Sequence, residues 1–210
     1  KNSLKLPQLI ALKASADATL ADVITKNTNY NNKVNERITA FSGLKSLSTR
    51  LVNALQTTDA TTETIGNAKT FNRKMQGKKA SSSQTPTDPN TPAPNTISTS
   101  QQSYDQLIQH LAGLTSILEA ETSYTPNETD LQVATLQTKI ADLTAKNTAV
   151  ATAYASISNS RIARNETLYS SSTGLVETAN EVKKYIKSVF GASSPQFAQV
   201  KGIQFKIIKN

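Results

Sequence analysis

From Val133 to Ile157 the positions Val133, Leu136, Ile140, Leu143, Asn147, Val150, Tyr154 and Ile157 follow one another at spacings of 3, 4, 3, 4, 3, 4 and 3. Alternation between three and four keeps a single stripe of a helix turned toward a neighbour over many turns, as in a coiled-coil seam. A half-buried strand would need a period of two. The stretch therefore commits the chain to long helices that must share a face. The same spacing returns near the N-terminus as Ala16, Leu20, Val23, Asn27, Tyr30 and Val34. Asn27 and Asn147 stand on the two seams where an apolar residue is expected. A polar side chain at such a position fixes register at some cost in stability, so both amides are expected to face inward and hydrogen-bond to each other or to a neighbouring helix.

These seams lie in matching phrases. "ADVITKNTNY" at residues 21–30 is echoed by "ADLTAKNTAV" at 141–150, an offset of 120. A second series, including Arg37 with Arg161, Ile38 with Ile162 and Leu44 with Leu168, matches at an offset of 124. A step of four is the size of a stutter, which a helical seam tolerates. The reading is two related helical hairpins, residues 7–77 and 127–191, each a long helix, a short joint and a returning helix.

The stretch 80–100, "ASSSQTPTDPNTPAPNTISTS", holds four of the seven prolines and no aromatic residue, and reads as an extended linker. The chain then divides into an N-terminal hairpin (1–79), the linker (80–100), and C-terminal helices with a tail (101–210), the hairpins packing as one domain. Thr125, Pro126 and Glu128 form a capping signature that places the start of the long C-terminal helix near Asn127, running to Tyr169. Between linker and cap, Tyr104, Leu107, Ile108, Leu111, Leu114, Ile117 and Leu118 give a helix over 100–121 one buried face. The fold class is thus all-α, an antiparallel bundle of four to five long helices. In the tail, Ile203, Phe205 and Ile207 alternate with Gln204 and Lys206, either as a short strand or as an extended arm. That arm lies on its own bundle or pairs with another subunit.

Composition excludes more than it assigns. With no Cys and His110 as the single histidine, thiolate zinc sites, cysteine nucleophiles and histidine-based triads lose their ligands or their base. His110 reads as a boundary residue of its helix. The carboxylate pairs Glu128/Asp130 and Glu177/Glu181 sit at a helix start and on a charged face, with no apolar cleft to split their pKa values. No cofactor motif is present, and the chain reads as no enzyme. No apolar run approaches the roughly 20 residues of a membrane-spanning helix. The chain starts at Lys1 and not at Met; the cytoplasm is slightly favoured, with the envelope or exterior open if a signal peptide has been removed.

The net charge of +8 gathers in two clusters, around Lys74, Lys78 and Lys79 and around Lys183, Lys184 and Lys187, both near expected helix ends, where cations complement the macrodipole. The phrases "KNTNYNNKVNERITAF", "AKTFNRKMQGKKA", "SYTPNETDLQVATLQTKIADLTAKNTAVATAY", "SNSRIARNETLY" and "VKKYIKSVFGASSPQFAQVKGI" resemble a family of uncharacterised helical proteins from Bacteroidetes, over nearly the whole chain. That resemblance implies no activity, ligand or catalytic residue. The functional expectation is a non-enzymatic helical bundle of structural or scaffold type, acting by self-association or by binding another protein. The alternative is a basic surface for nucleic acid or anionic lipid, with Lys74, Lys78, Lys79, Lys183, Lys184 and Lys187 as contacts. Nucleic acid is disfavoured because the basic clusters lack interleaved aromatic residues.

Overall fold

A computed structural model of the chain describes residues 1–77 and 102–207. The expected linker, together with Lys78 and Lys79, lies outside the described residues. The fold is all-α, a helical bundle: among the described residues there are seven α-helices and no strand. They are α1 (Leu6–Phe41), α2 (Leu44–Leu55), α3 (Thr62–Met75), α4 (Tyr104–Ala120), α5 (Val133–Tyr169), α6 (Leu175–Phe190) and α7 (Pro195–Lys201). Short 3₁₀ turns at Asn2–Leu4 and Thr129–Leu131 precede α1 and α5.

Local chemistry sets most of the boundaries. α1 stops where Gly43 takes φ of 79°, a left-handed conformation that glycine adopts without a Cβ clash. The oxygens of Thr61, Ser103 and Ser194 accept the N–H groups of Thr64, Gln106 and Phe197, capping α3, α4 and α7. The returning helix of the N-terminal hairpin is broken in two. Between α2 and α3 the hydroxyls of Thr57 and Thr58 donate back to the carbonyls of Ala54 and Leu55, both at 2.7 Å, and compete with helix continuation. The expected start of α5 near Asn127 also gives way. Leu131 is buried among Leu44, Leu51 and Leu136 of the core cluster, and Arg50 grips Asp130 with two hydrogen bonds. Tertiary contacts thus hold Thr129–Leu131 in a tight turn, and the α-helix begins at Val133.

The chain forms two compact units, one of residues 33–150 and one of residues 1–32 with 151–210. They cut across the expected division at the linker, because α1 and α5 contribute residues to both. In the unit of residues 33–150, α3 packs against both α2 and α4. The continuous core lies here: Leu44, Leu51, Leu55, Met75, Leu111, Leu114, Leu136 and Leu143 are essentially sealed from solvent. A polar clasp ties α2 to α3 beside it. Ser48 donates to Asn72 at 2.8 Å, and the Gln76 amide donates to the Lys45 carbonyl at 2.7 Å and to Asn72 at 3.1 Å.

The other unit is built differently. Its buried apolar side chains are Ala16, Ala153, Ile157 and Leu168, two of them alanine. The α1 and α5 segments in it are joined by the Ser160 hydroxyl donating to Asp22 at 2.6 Å and by Tyr30 and Tyr154, whose rings lie 5.9 Å apart. α6 carries α7 and the first 3₁₀ turn, and Lys1 pairs with Glu181 at 2.5 Å.

Tyr124 offers a test of the packing before α5. Its hydroxyl donates to the Leu131 carbonyl at 3.0 Å, and burial, reinforced by Glu128 and Asp130, pushes its pKa up to about 12. A raised pKa in the folded state favours the neutral phenol there, so its contribution is complete below the ordinary value of 10 and is lost as the pH rises through 12. Tyr124→Phe should remove that step from the pH dependence of denaturant midpoints between pH 10 and 12. At neutral pH it should destabilise by about 1–3 kcal/mol by leaving the Leu131 carbonyl unpaired.

Candidate functional site

The two asparagines of the repeat occupy unlike surroundings. In the unit of residues 33–150, Asn147 on α5 is half-buried between two other helices. Its carbonyl oxygen accepts from Arg37 of α1 at 3.0 Å, and its amide donates to the Asp105 carboxylate at the start of α4 at 2.7 Å. The Arg37 guanidinium lies 4.0 Å from the centroid of the Tyr104 ring, and Tyr104 meets Phe41 edge-on at 4.7 Å. Arg37 is thus held by an amide and an aromatic face, although its buried Nε has no hydrogen-bond partner.

Asn27 departs from the expected pairing. It is half-buried in the other unit, where it lines an open cleft of about 610 Å³ with Thr28, Arg161, Arg164 and Asn165. Arg164 donates twice to its neighbour Asn165, at 3.1 and 2.8 Å. No carboxylate lines the cleft, and among the described residues neither arginine has an ion pair.

A second concavity of the same unit is apolar. Leu9 and Leu12 of α1, Val182 and Ile186 of α6, Val200 of α7 and Phe205 of the tail border a groove of about 210 Å³. The tail forms one wall of it. Lys183 fixes that wall by donating to the carbonyls of Lys201 at 3.1 Å and Ile203 at 2.5 Å, and its ammonium lies 5.9 Å from the Phe205 ring. Residues 203–207 are irregular, and Ile203, Phe205 and Ile207 remain exposed. Of the other candidate anion contacts, Lys187 lies over Phe197 and Lys184 is exposed, both on α6, while Lys74 lies over Phe71 in the unit of residues 33–150.

The titratable groups with shifted pKa values serve local structure. Hydrogen bonding from Arg50, then its charge, holds the Asp130 carboxyl below the usual range, and the same pair raises Arg50. The Ser123 hydroxyl and N–H do likewise for Glu121. His110, expected at the edge of its helix, is buried with its ring 6.4 Å from Phe71. Among the described residues no three His, Cys, Asp or Glu side chains gather as metal ligands, and no helix is long and apolar enough to cross a membrane.

Sequence reasoning marked both asparagines but missed their arginine neighbours. The signal was present in the second offset, which pairs Arg37 with Arg161. An amide on an apolar seam costs stability, which by itself would make leucine stabilising at both positions, but the surroundings of Asn147 reverse that sign. Asn147→Leu should cost about 1–3 kcal/mol by stripping Arg37 and Asp105 of a partner. Asn27→Leu should stay within about 0.5 kcal/mol. Native-state hydrogen exchange of α5 amides would read both; equal effects would contradict the difference in surroundings. The chain matches no protein-family model, no curated protein and no solved structure.

Proposed function

We propose that this is a non-enzymatic helical protein that works by binding another protein chain, with the unit of residues 1–32 and 151–210 as its contact surface. The observation that carries the reading is the uneven distribution of apolar side chains. Among the described residues every exposed large hydrophobic side chain, Ile38 excepted, belongs to that unit, including Leu6, Ile10, Ile24, Ile162, Val189 and Phe190. Single exposed apolar residues are ordinary, but their concentration on a unit with so small a core is the mark of a surface that association covers.

Charge supports the same assignment. The unit holds twelve Lys and Arg against five Asp and Glu, net +7, while residues 33–150 hold eleven against ten. A basic, apolar surface favours an acidic partner over an identical copy, since a two-fold contact sets the same patch against itself. The groove beside the Lys183-fixed tail gives such a partner a place for apolar anchors.

Light scattering from micromolar to millimolar concentration should give a constant monomer mass. A photo-crosslinking amino acid at the exposed positions 10 or 189, in the native host, should capture a discrete partner chain, and Ile10→Asp with Val189→Asp should abolish the capture. The reading fails if no protein is captured at either position, or if capture survives both substitutions.

A further inference from the structure

The cleft of Asn27 and Arg161 repeats part of an arrangement that residues 33–150 show in full. Asn27 matches Asn147 at the offset of 120, and Arg161 matches Arg37 at the offset of 124. Each unit thus brings together one Asn and one Arg from corresponding positions of α1 and α5. Around Asn147 and Arg37 the place is taken by the first turn of α4: the Asp105 carboxylate accepts from the asparagine amide and the Tyr104 ring covers the guanidinium. Around Asn27 and Arg161 the lining contributes neither a carboxylate nor an aromatic ring, and it adds a second guanidinium in Arg164.

We propose that this cleft is a recognition site for an aromatic–acidic dipeptide of the partner chain, presented as Tyr104 and Asp105 are presented at the start of α4. The proposal rests on the reading that residues 1–32 and 151–210 bind a protein, and it names the chemistry recognised there. A carboxylate satisfies the donors of Asn27, and an aromatic face covers Arg161, as in the filled counterpart. Arg164 adds charge that the counterpart lacks, so the carboxylate is held more by charge here than at Asn147. A second copy of the chain is a poor occupant, because its own Tyr104 and Asp105 are already engaged with Arg37 and Asn147.

The probe is the chain's own hexapeptide 103–108, Ser-Tyr-Asp-Gln-Leu-Ile, acetylated and amidated, titrated into the ¹⁵N-labelled full chain. The Nε–Hε signals of Arg161 and Arg164 should move and saturate, while that of the engaged Arg37 stays in place. A peptide with Asp105→Asn should bind at least about tenfold more weakly, as expected when a charge-assisted hydrogen bond is lost. Arg161→Gln in the chain, at an exposed position, should remove the response without changing the helical circular dichroism signal, and Arg161→Lys should restore only part of it, since a lysine cannot offer a flat face to the ring. Equal affinity for both peptides, no movement at either arginine, or the same movement with sodium acetate alone would each overturn the proposal. Capture at positions 10 or 189 with no response here removes this site and leaves the protein-binding reading standing. A response here without capture removes the protein-binding reading and, with it, a partner chain as the source of the dipeptide, leaving only the cleft's affinity for that chemistry.

Discussion

The apolar face of α4 is the contact on which residues 33–150 depend. Leu111, Leu114 and Leu118 have almost no solvent exposure, and α3 lies along the same helix. These three leucines join Leu51, Leu55 and Met75 of α2 and α3 in one buried cluster. Burying a leucine contributes about 1.5–3 kcal/mol, so these three side chains alone account for a stabilisation comparable with the net stability of a small domain. The first turn of the same helix also supplies Tyr104 and Asp105 to the polar node of Arg37 and Asn147. Apolar packing and polar specificity therefore arrive on one element.

Among the described residues, the unit of residues 1–32 and 151–210 has no helix in that role. Its α1 and α5 segments approach through small side chains, Ala16 and Ala153, and through the Ser160 to Asp22 hydrogen bond. Alanine permits close approach of backbones but removes little apolar surface from water. The larger side chains of α6 and the tail are left half-exposed around the groove. The apolar exposure of this unit follows from an architecture with no covering element among the described residues.

Much of the fold was legible in the sequence because period and caps are local signals. The 3-4 spacing marks the helical seams, Gly43 ends α1, and the apolar set from Tyr104 to Leu118 outlines α4 to within a few residues. The failures are non-local. The capping signature at Thr125 lost to the burial of Leu131 and the grip of Arg50 on Asp130, neither of which a window of ten residues contains. The break between α2 and α3 rests on hydroxyls that bond back to carbonyls, a competition that helix propensity resolves poorly. At the site level, both asparagines could be found from sequence but their partners could not. Asn147 is separated from Arg37 by 110 residues, and nothing in either phrase states which copy of the repeat receives α4.

The boundary between the units falls inside α1 and α5, near residues 32 and 150, and not in a loop. A loop boundary lets one domain melt while its neighbour stays whole. A boundary within two continuous helices makes unfolding a matter of how far the helical hydrogen-bond ladder has unravelled. The weakly cored ends can fray turn by turn toward Phe41 of α1 and Leu143 of α5, where packing in the main core halts them. The chain then loses structure over a broad range of temperature before its cooperative transition. A single melting temperature would describe residues 33–150 and not the whole molecule.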